Sequence, residues 1–403
     1  YLYFFINFSI LFVIYYIFMT SKIKVLQVIP KLGFGGAETG CYDLAHYLPE
    51  NDCKSYIVTS GGSLTKYVRK DKVSIIKLPV HSKNPILILF NSVGLVFIIL
   101  LLNINIIHAR SRAPAWSCYL SCLITRRKFI TTFHGTYDFK NGIKKYYNSI
   151  MLKAKLTIAG SNFIFNHINE NYKNYLNPKN KLMVIFRGIN LDYFNPKNIS
   201  EFKKNKLISD WKIDENKFII LLPGRLTSWK GHDKFIEALN ILVEDHDKPN
   251  FQAIILGSSQ GRNVYQKKIK DLILRYNLNK KVSFIEHCKD MPTAYSLADV
   301  VVSSSVRPEA FGRVSVEAQA MKIPILASNL GGSKETILNG KSGFLYQYDD
   351  PRELGQLINN LMEKDKETLN SIGNEGRKNI VKKFDVENMC KSTFVAYKKI
   401  LNI

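Results

Sequence analysis

Two carboxylates stand eight positions apart late in the chain, where a strand pattern changes into a helix pattern. Glu309 follows an apolar run (298–302) that predicts a buried parallel strand, and Glu317 lies in the helix pattern behind it. Open α/β sheets bind ligands at the carboxyl ends of their strands, so we expect Glu309 to face a ligand. Two Glu at such a spacing are more often solvated helix residues. The position after the strand is what favours a role in binding, since carboxylates accept bonds from sugar hydroxyls.

Two cations, Arg225 and Lys230, follow another predicted strand (217–223). Gly224 and Gly231 flank them and permit close approach of the backbone to a ligand. An Arg fork and a Lys point charge at this position favour the binding of a diphosphate. The alternative is an ordinary solvated loop.

The first half of the chain offers a weaker set of candidates. Gly35 and Gly36 follow the first predicted strand, His134 ends another, and Arg110 and Arg112 come directly after a third. The turn suits a phosphate or sugar, and the arginines suit an anionic acceptor. A structural His134 and solvated arginines remain open alternatives. No G-x-G-x-x-G motif is present, which argues against a nicotinamide dehydrogenase.

Strand and helix patterns alternate in two series, which predicts two doubly wound α/β domains. The expected divisions are an apolar segment (1–18), a first domain (19–195), a second domain (196–384) and a final helix (385–403). A polar, Pro-broken linker is expected at 192–207. The predicted strands are 23–29, 54–59, 73–77, 104–108, 128–133, 156–159 and 182–185 in the first series, and 217–223, 253–256, 282–284, 300–302, 324–327 and 343–346 in the second.

The 403 residues carry a formal net charge of +24, of which +17 falls in residues 1–200. Such asymmetry indicates a polyanionic partner, namely nucleic acid, anionic lipid or a phosphorylated substrate, unless it only reflects a Lys-rich composition. Basic clusters at 66–70 and 126–128 are candidate contacts to lipid. The six Cys lack CxxC spacing, which predicts a reducing compartment and no zinc site; Cys118 and Cys122 are expected in the core.

Two apolar runs bear on the membrane. Residues 1–18 are nearly long enough to span a bilayer, yet Met19 stands just before the first strand, so they are either an anchor fragment or an upstream translation artefact. The second run, 85–102, is interpreted as a helix of the first domain with a very apolar outer face. That face is expected to touch a membrane surface.

Together these motifs resemble the family 4 (group 1) retaining glycosyltransferases of the GT-B fold, in which two Rossmann-like domains face each other across a cleft. The resemblance runs from Met19 to the end. The motifs that carry it are Gly35-Gly36, Phe133-His134-Gly135, Gly224-Arg225 with Lys230-Gly231, and Pro308-Glu309-Ala310-Phe311-Gly312 through Glu317-Ala318.

The resemblance implies a role for each site residue. Glu309 would contact the sugar hydroxyls of the donor with the backbone at Phe311, Gly312 and Arg313, and Glu317 would bind the ribose. Arg225 and Lys230 would hold the diphosphate, so no metal or other cofactor is expected. His134 would touch the sugar, Gly35 and Gly36 would approach the phosphates, and the final helix would pack back on the first domain.

The resemblance therefore implies transfer of a sugar from a nucleotide-diphosphate sugar to a lipid-linked or cell-surface glycan, such as a lipopolysaccharide core. The expected location is the cytoplasmic side of a bacterial membrane with an anionic surface as partner, and nucleic acid is not expected to bind. Two alternatives are a nucleotide-sugar 2-epimerase on the same fold and a non-catalytic protein that binds nucleotide-sugars or polyanions.

Overall fold

The computed structural model describes residues 23–137, 139, 141–261 and 263–403, so the segment 1–18 lies outside the described residues. The chain divides into two compact units. The first unit holds the described residues up to Ile158, together with Tyr172–Met183 and Ser392–Ile403. The second unit holds Ala159–Asn171 and Val184–Lys391.

A seven-stranded sheet, in the order β3-β2-β1-β4-β5-β6-β7, is built by the first strand series. The pairs from β3 to β5 are parallel. Strands β4 and β6 are buried along their whole length, as expected of parallel strands covered on both faces. The strands are β1 Ile23–Ile29, β2 Cys53–Thr59, β3 Val73–Lys77, β4 Ile106–Ala109, β5 Lys128–Phe133, β6 Leu156–Ala159 and β7 Lys181–Val184.

A six-stranded sheet in the order β10-β9-β8-β11-β12-β13 is built by the second series, and its strand pairs are parallel. The order reverses direction between β8 and β11, which is where such sheets bind ligands. The strands are β8 Phe218–Pro223, β9 Phe251–Leu256, β10 Val282–Ile285, β11 Val300–Ser303, β12 Ile325–Ser328 and β13 Phe344–Tyr346.

Helices cover both faces of the first sheet. The right-handed crossover rule puts the helix after β1 on one face and the helices after β3 and β4 on the other. The ring of Tyr47 on the first helix packs on Phe394 of the last helix, so these two share a face. The helices of the first unit are α1 Gly36–Glu50, α2 Pro85–Leu101, α3 Arg112–Thr125, α4 Gly142–Ser149 and, from Ser392 onward, α14 Val386–Leu401. Except for its last residue, α5 Asn162–Tyr172 belongs to the second unit.

The helices between α5 and α14 belong to the second unit, where they alternate with or follow the strands of the six-stranded sheet. They are α6 Glu201–Trp211, α7 His232–Asp245, α8 Asn263–Arg275, α9 Met291–Ser296, α10 Arg313–Ala320, α11 Ser333–Thr336, α12 Pro351–Met362 and α13 Lys366–Lys383.

The predicted α/β class with two parallel sheets is confirmed, and every predicted strand is present with its ends shifted by at most two residues. The expected linker at 192–207 is wrong in part, because α6 begins at Glu201 and buries Trp211. Cys118 and Cys122 are buried on α3, as expected. Within the described part of the chain, no helix combines the length and apolarity that crossing a membrane requires.

Candidate functional site

In the second unit, the loop after β8 carries two of the predicted cations. Arg225 is exposed, whereas Lys230 lies in a short turn that leads into α7. Between that turn and α7, Gly231 has a φ of +64°, and a Cβ there would clash with the Ser304 carbonyl oxygen. Glycine is therefore required where this loop packs on the loop after β11.

Lys230 and Glu309 form an ion pair across these two loops. The Lys230 Nζ lies 2.5 Å from Glu309 Oε1, and both side chains are largely buried. The Ser305 hydroxyl donates to the same oxygen at 2.7 Å. A third bond, from Ser304 Oγ to the Lys230 carbonyl at 2.9 Å, fixes the cation's backbone. The pair is held from both strands that flank the point where the sheet reverses.

The charge balance at this mouth keeps Glu309 ionised. Burial alone would raise the pKa of Glu309, but Lys230, the Ser305 hydroxyl and the field of Arg225 outweigh it and leave the pKa below 4.5. One carboxylate thus faces two cations, which leaves a positive net charge at the carboxyl ends of β8 and β11. That net charge suits a diphosphate, and a carboxylate held beside it suits a hydroxyl donor.

A glycine turn after β12 supports the backbone of Glu309. The Gly332 N–H donates to the Glu309 carbonyl at 2.7 Å, and a Cβ at Gly331, whose φ is +58°, would clash with that carbonyl. Gly312 has a φ of +81° and precedes the first residue of α10. Phe311 is buried. The predicted segment from Glu309 to Arg313 is therefore a rigid turn at the mouth of the second sheet.

Glu317 lies one helical turn beyond Arg313 on α10 and is almost completely buried. Arg313 Nε donates to its Oε1 at 2.5 Å, and the Tyr295 hydroxyl donates to its Oε2 at 2.8 Å. Burial, followed by the Glu317 charge, raises the pKa of Tyr295 well above its ordinary value, so Tyr295 remains a donor. Tyr295 was missed from the sequence; the signal was a Tyr in the short helix just before β11.

In the first unit, a cavity of about 340 Å³ lies at the carboxyl ends of β1, β4 and β5. It brings together two of the predicted residues, Arg110 and His134, next to the start of α1. Its lining residues are Ile29, Pro30, Lys31, Ala37, Glu38, His81, Arg110, Ser111, His134 and Tyr137.

Arg110 is 5% exposed and is held by Gln27 on the neighbouring strand. The Arg110 Nε and one terminal nitrogen donate to Gln27 Oε1 at 2.9 and 2.5 Å, and that terminal nitrogen also reaches the Gly40 carbonyl at 3.4 Å. These acceptors are uncharged. Lys31 and Arg110 together outweigh the carboxylate of Glu38 in the cavity lining, so the cavity favours an anion. Gln27 was missed; the signal was one amide flanked by two apolar residues on each side within β1.

Arg112 does not line this cavity. Its guanidinium lies 4.2 Å from the centroid of the Tyr137 ring and donates to Asn148 Oδ1 at 2.7 Å. Asn148 in turn donates to the Tyr137 carbonyl at 2.9 Å. The side chain of Arg112 therefore positions Tyr137, which does line the cavity. The structure brings Arg110 to the cavity and gives Arg112 a supporting position instead.

The glycine turn before α1 lies beside the cavity. Gly36 is the first residue of α1 and Gly35 precedes it in extended conformation. A Cβ at Gly35 would clash with the carboxylate of Glu38, so this carboxylate lies against the N-terminal turn of the helix. Glu38 was not singled out from the sequence, and it places a negative charge at the helix end that was expected to approach phosphate.

His134 lies at the end of β5 with its backbone N–H 3.4 Å from the Tyr137 hydroxyl. Another histidine, His108, is fully buried on β4 and bonds to the Tyr397 hydroxyl at 2.5 Å and the Thr132 hydroxyl at 2.7 Å. Burial, then Arg110 and His134, hold the pKa of His108 well below 6.5. His108 is therefore neutral and fastens the end of α14 to the first unit.

Among the residues that the structure describes, no group of three or more His, Cys, Asp and Glu side chains is arranged to hold a metal ion. The roles that the sequence assigned to individual residues stay predictions. The geometry adds that the second unit contains two ion pairs, Lys230–Glu309 and Arg313–Glu317. In the first unit, Arg110 and His134 line one cavity.

Two family models match consecutive parts of the chain. Residues 34–193 match "Glycosyltransferase Family 4", and residues 203–379 match "Glycosyl transferases group 1". The spore coat protein SA of Bacillus subtilis is 26% identical over 73% of this chain and 78% of its own length. The capsular polysaccharide biosynthesis glycosyltransferase CapM of Staphylococcus aureus is 31% identical over 51% of this chain and 52% of its own length.

Solved structures extend the likeness to nearly the whole chain. A glycosyltransferase from Rickettsia africae is 38% identical, covers 94% of this chain and 99% of its own, and superposes with a TM-score of 0.86. The Anabaena protein Alr3699/HepE, solved with UDP-glucose, covers 94% of this chain and 100% of its own with a TM-score of 0.76, and at 22% identity it shows the fold alone. The chain has the GT-B fold and belongs to the group 1, family 4 glycosyltransferases.

Proposed function

We propose that this glycosyltransferase moves a sugar, with retention of configuration, from a nucleotide-diphosphate sugar to a lipid-linked or cell-surface glycan acceptor. The observation that carries the proposal is the Lys230–Glu309 pair at the mouth of the second sheet, with Arg225 close enough to lower the pKa of the same carboxylate. A nucleotide-sugar has a diphosphate next to a polyhydroxyl ring, which matches a cationic loop next to an ionised carboxylate.

Lys230 and Arg225 are proposed to bind the diphosphate and to stabilise the charge that develops as it leaves. The bond between the anomeric carbon and the phosphate oxygen breaks, and the acceptor oxygen bonds to that carbon on the same face. The acceptor's hydroxyl proton passes to the departing phosphate oxygen. We propose that these cations do the charge work without a metal ion.

Recognition of the donor is proposed to divide between the two Glu residues. Glu309 accepts bonds from sugar hydroxyls through Oε2, the oxygen that takes no part in its bonds with Lys230 and Ser305. Glu317 is proposed to accept bonds from the ribose. Each of its oxygens already accepts one bond, and a carboxylate oxygen has two lone pairs, so capacity remains.

The cavity of the first unit is proposed to bind the acceptor side of the reaction. Its buried guanidinium, Arg110, suits a phosphate or another anion on a lipid-linked acceptor. His134, in the same lining, is proposed to contact the transferred sugar. The turn at Gly35 and Gly36 is proposed to approach the donor phosphates.

A donor screen with matched acceptors tests the proposal. Purified protein is incubated with UDP-, GDP- and ADP-hexoses and a panel of lipid-linked acceptors, and released nucleoside diphosphate and glycosylated lipid are both measured. UDP-glucose is the first donor to try, since the Anabaena structure of the same fold was solved with it. Equimolar nucleoside diphosphate and glycosylated acceptor is the expected result.

Two outcomes contradict the proposal. Conversion of the donor to its 2-epimer without any acceptor as the main product would favour an epimerase. Salt-sensitive binding to random duplex DNA, with no transfer for any donor, would favour a polyanion-binding protein. The anomeric configuration of the product, read by NMR, separately tests retention.

A further inference from the structure

Helix α2 has the reverse of the usual polarity of a surface helix. Its sequence contains no charged residue, and its polar side chains Asn91 and Ser92 are 1% and 2% exposed. Asn91 donates to the Pro79 carbonyl at 3.1 Å, and Ser92 donates to the Ile88 carbonyl at 2.7 Å. The polar atoms therefore point into the unit, where they find partners, while the solvent side is left to apolar residues.

The solvent side of α2 is a continuous apolar stripe. Phe90 and Phe97 are each 61% exposed and Leu101 is 82% exposed. The exposed positions repeat every three to four residues, so they lie on one face over about 25 Å of helix. The stripe consists of Ile86, Leu87, Leu89, Phe90, Val93, Phe97, Leu100 and Leu101.

Helix α3 extends this stripe at its C-terminal end. Leu123 and Ile124 are exposed, and the next residues bring the two helix ends together because Arg127 donates to Asn103 Oδ1 at 2.8 Å. Near the N-terminal end of α2, Ser117 on α3 donates to the Ile88 carbonyl at 3.1 Å. The exposed side chains of α2 and α3 thus form one surface, here called the α2–α3 face.

The stretch of chain that contains the α2–α3 face is strongly basic. Between Asp71 and Glu170 the sequence holds thirteen Lys and Arg but a single carboxylate, Asp138. Lys83, just before α2, and Arg126, just after α3, are both exposed, so cations stand at the two ends of the stripe. An apolar stripe with cations at its ends matches a surface with an apolar interior and anionic headgroups.

We infer that the α2–α3 face docks on an anionic lipid membrane, with α2 lying in the plane of the surface. The inference rests on the proposed lipid-linked acceptor, and it adds how the protein gains access to an acceptor that is anchored in a bilayer. His81 lines the cavity of the first unit, and α2 begins at Pro85. Docking therefore brings the membrane surface next to the cavity that contains Arg110, so an acceptor phosphate can enter it while its lipid stays in the bilayer.

A second copy of the chain is the other occupant that such a face could take. Pairing two copies through it would bring like cations together in a protein whose formal charge is +24. This repulsion favours lipid over self-association. The two occupants give opposite results in the experiment below.

Flotation of vesicles tests the docking. The full chain is mixed with phosphatidylcholine vesicles, with and without phosphatidylglycerol, at low and high potassium chloride. Binding to anionic vesicles is expected to exceed binding to neutral ones and to fall with salt. Phe90→Ser with Phe97→Ser should weaken binding about tenfold or more. Lys83→Glu with Arg126→Glu should weaken it by a similar factor, since each surface cation contributes about fivefold.

A matched control makes the test specific to the face. Lys66→Glu with Lys70→Glu changes the net charge equally, in the basic cluster at 66–70 that the sequence also offered as a lipid contact. These exposed residues flank Tyr67, whose carbonyl accepts a bond from Tyr42 on α1, and α1 covers the opposite face of the sheet. Docking through the α2–α3 face therefore excludes this cluster from the lipid contact. The control is expected to keep most of the binding. Equal losses in control and test variants, or equal binding to neutral and anionic vesicles, would overturn the inference, as would a dimer in sedimentation that Phe90→Ser with Phe97→Ser dissociates.

The proposed function is assayed separately in the same preparations. Released nucleoside diphosphate is measured with an acceptor that has a short, water-soluble lipid and no vesicles. The Phe90→Ser, Phe97→Ser protein should keep its wild-type rate there and lose transfer only to vesicle-borne acceptor. Transfer without vesicle binding would refute the docking alone, and vesicle binding without transfer for any donor would refute the proposed function alone.

Discussion

The two units hold their charged side chains in opposite ways. In the second unit each candidate carboxylate is paired with a cation, Glu309 with Lys230 and Glu317 with Arg313. In the first unit the buried cation Arg110 rests on the neutral amide of Gln27. Paired charges are held in one geometry before a ligand arrives, whereas an uncompensated one attracts an anionic ligand. The second unit is thus arranged for precise contacts and the first for capture of an anion.

Replacing Lys230, the cation that pairs with Glu309, should produce the largest effect on sugar transfer. Lys230→Ala removes the proposed diphosphate contact and leaves Glu309 buried without its partner, so transfer should fall by about a thousandfold. Initial rates of nucleoside diphosphate release measure it. Lys234→Ala is the matched control, because Lys234 pairs with Glu237 and Asp349 on the partly exposed side of α7. A wild-type rate for Lys230→Ala would show that the pairing does not serve catalysis.

The two carboxylates of the second unit can be separated by amide substitution. Glu309→Gln should lower kcat about a hundredfold because its bond with Lys230 and its proposed bond to the sugar both weaken, while Glu317→Gln should mainly raise the KM for the donor, by about tenfold. Full donor titrations of both variants provide the comparison. Wild-type kinetics in both would refute the proposed division of roles.

The acid limb of the pH–rate profile offers a further check on Glu309. Its pKa lies below 4.5, so the carboxylate stays ionised as the pH falls through the ordinary range for Glu. We expect kcat/KM to show no loss from protonation of Glu309 between pH 7 and pH 5. The loss should begin only below pH 4.5, the ordinary pKa of a Glu side chain. In Lys230→Ala, where the largest lowering influence is gone, burial should raise the pKa and move the acid limb to higher pH.

Most of the fold and many candidate residues were predictable because the signals are local. Most strands are short apolar runs, and His134, Arg225 and Glu309 lie one, two and six residues after the ends of β5, β8 and β11. Partners distant in the chain were not predictable. Gln27 meets Arg110 across 83 positions, and Lys230 meets Glu309 across 79, although the sequence had assigned that pair to different parts of the donor. Helix α6 was missed because Pro196 and its polar composition resemble a linker.

Replacing Gln27, the uncharged hydrogen-bond partner of Arg110, tests the comparison between the two units. Gln27→Leu leaves a buried guanidinium without its main acceptor, so the free energy of unfolding should fall by about 2–3 kcal/mol. Urea unfolding of the full chain measures it. Gln27→Glu is the informative counterpart, because a carboxylate there would pair with Arg110 as Glu309 does with Lys230. It should keep stability but weaken binding of phosphate-bearing acceptors; unchanged binding would show that Arg110 does not act as the anion contact.

The smallest expected effect concerns a feature that the units share, a buried neutral histidine. His108 in the first unit has a pKa well below 6.5, and burial, followed by Lys230, lowers the pKa of His232 in the second to about 4. A histidine whose pKa is depressed by folding stabilises the folded state above pH 6.5, and that stability is lost as the pH falls, because the unfolded chain takes up the proton first. His232 should contribute about 2 kcal/mol of loss between pH 7.5 and pH 5, and His108 should contribute a loss in the same direction.

The variants His108→Gln and His232→Gln separate the two contributions. Each should unfold at lower urea than wild type at pH 7.5 but show a smaller further loss at pH 5, so the slope with pH is the readout rather than the absolute stability. Since His108 bonds Tyr397 at the end of α14, its substitution should also raise hydrogen exchange in Ser392–Ile403, while His232→Gln should leave that segment unchanged. Equal pH slopes in wild type and both variants would mean that neither histidine resists protonation in the folded state.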